Sequence, residues 1–81
     1  MTIKAKFFAI AREKAGTADA TLHLPDGSTV AIATAMIARQ FPQLAATTTR
    51  CAFAVNQEYA APDRTLKDGD ELALIPAVSG G

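Results

Sequence analysis

The group in this 81-residue sequence best suited to covalent chemistry is its final carboxylate. The segment Ile75-Pro76-Ala77-Val78-Ser79-Gly80-Gly81 passes from apolar, strand-like residues to small uncharged ones and two glycines. Proline has no backbone N–H, so Pro76 is expected to stop a sheet ladder. Beyond it, the side chains are too small to build a core. The sequence predicts a folded body over residues 1–76 and a thin, flexible tail over residues 77–81. At an average glycine usage of about 7%, such a Gly-Gly ending arises by chance in roughly one chain in 200. Chain ends also fray without purpose, so the tail alone does not decide the matter.

The usual catalytic groupings are missing. One histidine and one cysteine cannot make an ordinary nitrogen–sulfur metal site, and no metal is expected. His23 falls on an outward strand position and Cys51 begins a strand, partly buried. Ser28 suits a helix cap better than a nucleophile. Gly27 and Gly69 belong to turns, not to a phosphate-cradling loop. Asp68, Asp70 and Glu71 are loosely spaced like a cation loop but lack its other ligands, and read as a solvated turn. A chain without its own acid–base machinery that ends in a distinctive carboxylate suggests a carrier. The carboxylate would be the reactive group, activated by another protein.

Composition narrows the setting. Hydrophobic residues make up 49% and charged residues 20%, a globular balance in a single small domain. Eight basic and eight acidic side chains cancel, which argues against a nucleic-acid partner, since phosphate-backbone binding rests on a basic excess. No apolar run approaches the ~20 residues of a membrane span. Lys4 and Lys6 interrupt any apolar signal block. A lone cysteine forms no internal disulfide, so a reduced, cytoplasmic setting is expected.

The elements that must present the tail can be read from periodicity. Residues 2–10 alternate as a strand, with Ile3, Ala5, Phe7 and Ala9 toward the core and Phe8 facing away. Ala11 to Ala15 suit a short helical turn closed by Gly16. Residues 19–24 suit a second strand with Ala20, Leu22 and Leu24 inward, returning antiparallel beside the first. Pro25-Asp26-Gly27 is turn chemistry, and Ser28 or Thr29 can cap a helix. Val30, Ala33, Ile37 and Phe41 form one helical stripe, with Met36 at its flank and Pro42 as the stop. Residues 42–50 are a polar connection that could hold a turn around Leu44. Cys51 to Val55 suit a third strand with Phe53 and Val55 inward, then a turn at 56–58 and a short strand at 59–61. Leu66 is expected in the core, and Lys67 to Asp70 form another turn. Glu71 to Ile75 are the last strand, with Leu72 and Leu74 inward and Ala73 and Ile75 outward. The order β-β-α-β-β-β gives an α+β fold, one mixed sheet packed on one main helix. A right-handed crossover would place the third strand on the side of the first pair. If the first and last strands are neighbours, Phe8 and Ile75 form one outward apolar patch at the tail's root.

Several short motifs recur in family order: Phe7-Phe8-Ala9, Arg12-Glu13, Gly16, Ala54-Val55-Asn56, Leu66, Asp68-Gly69-Asp70-Glu71, Pro76, Val78 and Gly80-Gly81. With them the chain resembles the ubiquitin-like β-grasp sulfur carriers that act as small subunits of molybdopterin synthase. The likeness is densest at both ends. It departs at Ile75, where relatives often carry an aromatic. The resemblance implies a β-grasp fold and a subunit with no catalysis of its own. An E1-like adenylyltransferase would use ATP and Mg to adenylate Gly81, and a sulfur donor protein would convert it to a thiocarboxylate. The large synthase subunit would receive the tail, Pro76, Val78, Ser79, Gly80 and Gly81. There the sulfur would pass to a cyclic pyranopterin monophosphate to build the molybdopterin dithiolene. Phe8, Tyr59 and Ile75 would form the docking patch, with Arg12 as a polar contact, in a heterotetramer of two small and two large subunits. The tail motif is shared with sulfur carriers for thiazole or other products, and with ubiquitin-like modifiers whose last glycine joins a lysine. An inert β-grasp domain shares only the fold.

Overall fold

A computed structural model describes residues 1–76. Five strands form one sheet: β1 (Thr2–Phe7), β2 (Asp19–His23), β3 (Cys51–Val55), β4 (Glu58–Tyr59) and β5 (Glu71–Pro76). The spatial order is β2-β1-β5-β3-β4. β5 is central, parallel to β1 and antiparallel to β3. The helices are α1 (Ala9–Ala15), α2 (Val30–Gln40) and the short α3 (Ala45–Thr48), preceded by a 3-10 turn at Pro42–Leu44.

Burial follows the alternation. Ile3, Ala5 and Phe7 from β1, Leu22 from β2, Val55 from β3 and Leu72 and Leu74 from β5 face one side and are buried. Val30, Ala33 and Ile37 of α2 close over them, so the period-2 and period-3.6 patterns meet in one core. Phe41, just after α2, is half-buried and packs edge-on against Phe7, their ring centroids 5.3 Å apart. Thr29, not Ser28, caps α2: its Oγ1 accepts from the Ile32 N–H at 3.3 Å. Ser28 Oγ is spent on the Pro25 carbonyl. The N–H groups of Val30 and Ala31 donate to the carbonyls of Arg64 and Pro62, so the 62–66 loop satisfies donors that a helix start leaves open. Leu66 is anchored in the core by its own N–H, which donates to the Ser28 carbonyl.

Several expectations need correction. The first strand ends at Phe7, not at residue 10. Phe8 is the N-cap of α1 in extended conformation, and Ala9 has φ +50° and is exposed rather than in the core. The apolar run Phe8-Ala9-Ile10 fits both faces of a strand and the start of a helix, and pairing decides between them. β1 loses its β2 partner beyond Lys6↔Asp19 and its β5 partner beyond Phe7↔Leu74. The turn at 56–58 is shorter than expected. Asn56 and Gln57 have φ +51° and +72°, a two-residue hairpin turn of the primed kind, and Glu58 already pairs with Val55. The short strand is therefore Glu58–Tyr59, not 59–61. Phe53 is only half-buried, at the margin of the core. Leu44 does lie in a turn, and it is fully buried. β5 is inserted between β1 and β3, so the first and last strands are neighbours. Pro76 closes β5 opposite Cys51 rather than lying beyond the sheet. β1 pairs with β5 only as far as Phe7↔Leu74, so on that side no ladder partner calls for an N–H from residue 76.

Candidate functional site

The sheet's second face, away from α2, is divided along the strands. Residues paired across a ladder share a face, so the register places side chains together. One row across this face runs Asp19, Lys6, Ala73, Ala54, Tyr59, through the pairs Lys6↔Asp19, Lys6↔Ala73, Ala54↔Ala73 and Ala54↔Tyr59. The row toward the end of β5 holds Ile75 and Ala52, which pair with each other. Phe8 continues β1 by one extended residue at that level, after Phe7↔Leu74. On the other side lie Thr21, Lys4 and Glu71, with Lys6 Nζ 3.5 Å from Glu71 Oε2. The result is an apolar half at the end where β5 finishes and a charged half behind it.

Phe8 is 47% exposed and Tyr59 78%, while Ile75 is half-buried. The alanines at 52, 54 and 73 form a low floor between these larger side chains. Phe8, Tyr59 and Ile75, the three residues expected to form a docking patch, thus share one face. Arg12 is exposed on α1 and lines one shallow depression with Lys6, Phe8, Ala18 and Asp19. Pro76 closes the strand at this same end. Val78, Ser79, Gly80 and Gly81 lie outside the described residues.

A side chain that pattern reading missed holds the strand carrying the tail. Asn56 Nδ2 donates to Asp70 Oδ1 at 2.9 Å, and Asn56 Oδ1 accepts from the Glu71 N–H at 3.0 Å. The Asn56 N–H donates to the Glu71 carbonyl at 2.8 Å. The Lys67 N–H donates to Asp70 Oδ2, and the Thr2 N–H to Asp68 Oδ1. The β3–β4 turn, the 67–70 loop and the start of β1 are thereby tied around the first residue of β5. The Asn56 and Asp-Gly-Asp-Glu motifs, separate in the sequence, are one structural unit. Its only sequence signal is an asparagine suited to positive φ in a hairpin turn.

That network spends the acidic cluster on loop geometry. Burial pushes the Asp70 carboxyl up, but the hydrogen bonds from Asn56 and Lys67 and the charges of Arg64 and Lys67 prevail, holding it below its ordinary 3.8. A lowered folded value stabilises the fold above the unfolded value and loses that stability as pH falls through the folded one. Asp70→Asn should therefore flatten the acid limb of a Tm-versus-pH curve below about pH 4. An unchanged acid limb would remove Asp70 from the linkage. Cys51 is half-buried, its Sγ donates to the Thr47 carbonyl at 3.2 Å, and burial pushes its thiol up. This is the setting of an unreactive cysteine. His23 is exposed, its Nδ1 3.3 Å from Thr2 Oγ1. Among the described residues no group of three or more His, Cys, Asp or Glu is placed to hold a metal ion. No helix there is long and apolar enough to cross a membrane.

Comparison with known proteins agrees with this geometry. The ThiS family model matches residues 5–81. The molybdopterin synthase sulfur carrier subunit of Chlamydomonas reinhardtii is 45% identical over 83 residues, covering 100% of both chains. The Escherichia coli K12 protein of the same name is 42% identical, over 98% of this chain and 99% of its own. Among solved structures, small archaeal modifier protein 1 of Haloferax volcanii superimposes with a TM-score of 0.92 at 29% identity, covering 100% of both chains. The ubiquitin-like β-grasp fold expected from the sequence is borne out.

Proposed function

The chain belongs to the ThiS family, and on that premise we propose that it is the sulfur-carrier small subunit of a molybdopterin synthase. The observation that carries this reading is one apolar face at the end of β5, the strand leading directly into the Gly-Gly ending. An E1-like adenylyltransferase activates Gly81: its carboxylate attacks the α-phosphate of Mg-ATP and pyrophosphate leaves. The resulting acyl-adenylate is a good electrophile. Sulfide-level sulfur, released as HS− by a donor protein, attacks the acyl carbon, AMP leaves, and a thiocarboxylate remains. The charged carrier docks through Phe8, Tyr59 and Ile75 on the large subunit, with Arg12 at the margin. The thiocarboxylate there gives sulfur to a cyclic pyranopterin monophosphate, and two such rounds build the dithiolene.

This chain's part is presentation. Gly80 and Gly81 have no Cβ, so channel walls can approach the backbone closely. Val78 and Ser79 are short. Pro76 fixes one φ at the root and reduces the freedom lost on insertion. Held in the large subunit, the sulfur meets its acceptor at high effective concentration. ATP and Mg are used by the activating partner, and nothing in this chain's chemistry calls for a resident cofactor.

Intact mass tests the reading after incubation with the adenylyltransferase, Mg-ATP and sulfide. One oxygen replaced by sulfur at Gly81 is the expected result. The likeness to an archaeal modifier favours a second reading, in which activated Gly81 joins a lysine amine. A mass corresponding to a lysine conjugate, with no thiocarboxylate, would replace the first reading by the second. An unchanged mass would sink both.

A further inference from the structure

The equal numbers of acidic and basic side chains hide a polarised molecule. At the end of the sheet where β5 finishes stand Arg12 and Lys14 of α1, Arg39 in the last turn of α2, and Arg50 just before β3. Among the described residues only Glu13 and Asp19 oppose them there. The far end carries Asp26, Glu58, Asp63, Asp68, Asp70 and Glu71 against Lys4, Arg64, Lys67 and the Met1 amine, which leaves it net negative. The ends are a strand length apart, roughly 17–20 Å. That is about twice the Debye length at physiological salt, so a partner at one end does not sense cancellation by the other.

Arg12, Lys14, Arg39 and Arg50 are all exposed. The ion pairs found among the described residues, Lys6–Glu71 and the Met1 amine–Asp26, use none of them. A rival explanation is that basic residues in the last turn of a helix offset its negative dipole end. It covers Arg12, Lys14 and Arg39. It extends to Arg50, which follows the C-cap Thr49 of α3, but it does not account for the six carboxylates collected at the far end.

We propose that this basic end is a steering surface, which brings the carrier tail-first onto an acidic rim around the channel of the adenylating partner. This rests on the sulfur-carrier reading. Five residues beyond Pro76 span at most about 17 Å. When the carboxylate reaches the nucleotide, the basic end therefore meets the rim of the channel. The encounter with the activating partner is brief and repeated, which is where steering raises rates most. Mg-ATP leaves the loaded site net negative. The large subunit must instead bind a phosphorylated pterin with cationic groups, so there Arg12 alone is engaged, at the margin of the docking face, and Lys14, Arg39 and Arg50 gain nothing.

The test is kcat/KM for carrier-dependent pyrophosphate release by the adenylyltransferase, at low and at physiological salt. Arg39→Glu/Arg50→Glu is compared with Arg64→Glu/Lys67→Glu, which makes the same change in net charge at the far end. The first variant should lose about tenfold in kcat/KM at low salt, with kcat unchanged and a gap that closes as salt rises. The second should lose much less. If Tm falls in the first, the neutral Arg39→Gln/Arg50→Gln variant should show the same salt-dependent loss at smaller size. Equal losses at the two ends, or losses indifferent to salt, overturn the steering surface. Absence of pyrophosphate release from the unaltered protein would overturn the carrier reading itself.

Discussion

Deleting Gly81 should abolish sulfur transfer while leaving Tm unchanged, and so should adding one residue after it. Either change moves the carboxylate along an inserted peptide by one residue, about 3.5 Å. A displacement of about 1 Å can already cost 100-fold when a reacting group must be held in line. A one-residue shift should therefore take thiocarboxylate formation below detection, a loss of at least about 1,000-fold. The fold should not respond, because the core runs from Ile3 to Leu74 and the root of the tail is held from the other end of β5. There the Asn56 side chain and Asp70 fix Glu71 between β1 and β3. Intact mass after incubation with the activating enzyme reads the first quantity, and thermal melting reads the second. Full thiocarboxylation of the extended chain would reject Gly81 as the reacting end.

How far the sequence reaches can be judged from particular residues. Strict alternation in Ile3, Ala5 and Phe7, and in Leu72 and Leu74, gave the core face correctly, because a half-buried strand has only one way to orient a period of two. The stripe Val30, Ala33 and Ile37 was equally legible. Alternation failed at Phe8-Ala9-Ile10, where both faces are apolar and strand length is set by how far β2 and β5 extend. That information lies elsewhere in the chain. The Asn56–Asp70 contact spans fourteen positions and obeys no local period, so only the folded register exposes it. Outward placement of Phe8 and Ile75 could be read directly. Tyr59 joins them through its pairing with Ala54, and the alanine floor between them depends on three strands at once. The charge separation obeys the same rule: composition reports balance, and only topology reports where each sign collects.

Phe8→Asp should weaken binding to the large subunit by about 30-fold or more, as loss of a central aromatic anchor commonly costs at least about 2 kcal/mol. A buried, unpaired carboxylate in the same contact adds to the loss. Its effect on the free carrier should be close to zero, for a reason specific to this position. Phe8 is the N-cap of α1, and it makes no side-chain capping bond. Aspartate is among the best N-cap residues, worth about 1 kcal/mol over an apolar one. Its charge also suits the positive end of the helix, whose first turn holds no acid. The substitution loses the packing of a side chain that is already 47% exposed, about 1 kcal/mol by area. The two contributions nearly cancel, so Tm should stay within a few degrees of the parent or rise. Adenylation at high salt should survive, since the tail and its root are untouched. Titration calorimetry against the large subunit, paired with melting of the free chain, separates the outcomes. Unchanged affinity would remove Phe8 from the docking face, and a steep fall in Tm would show that its ring serves the fold instead.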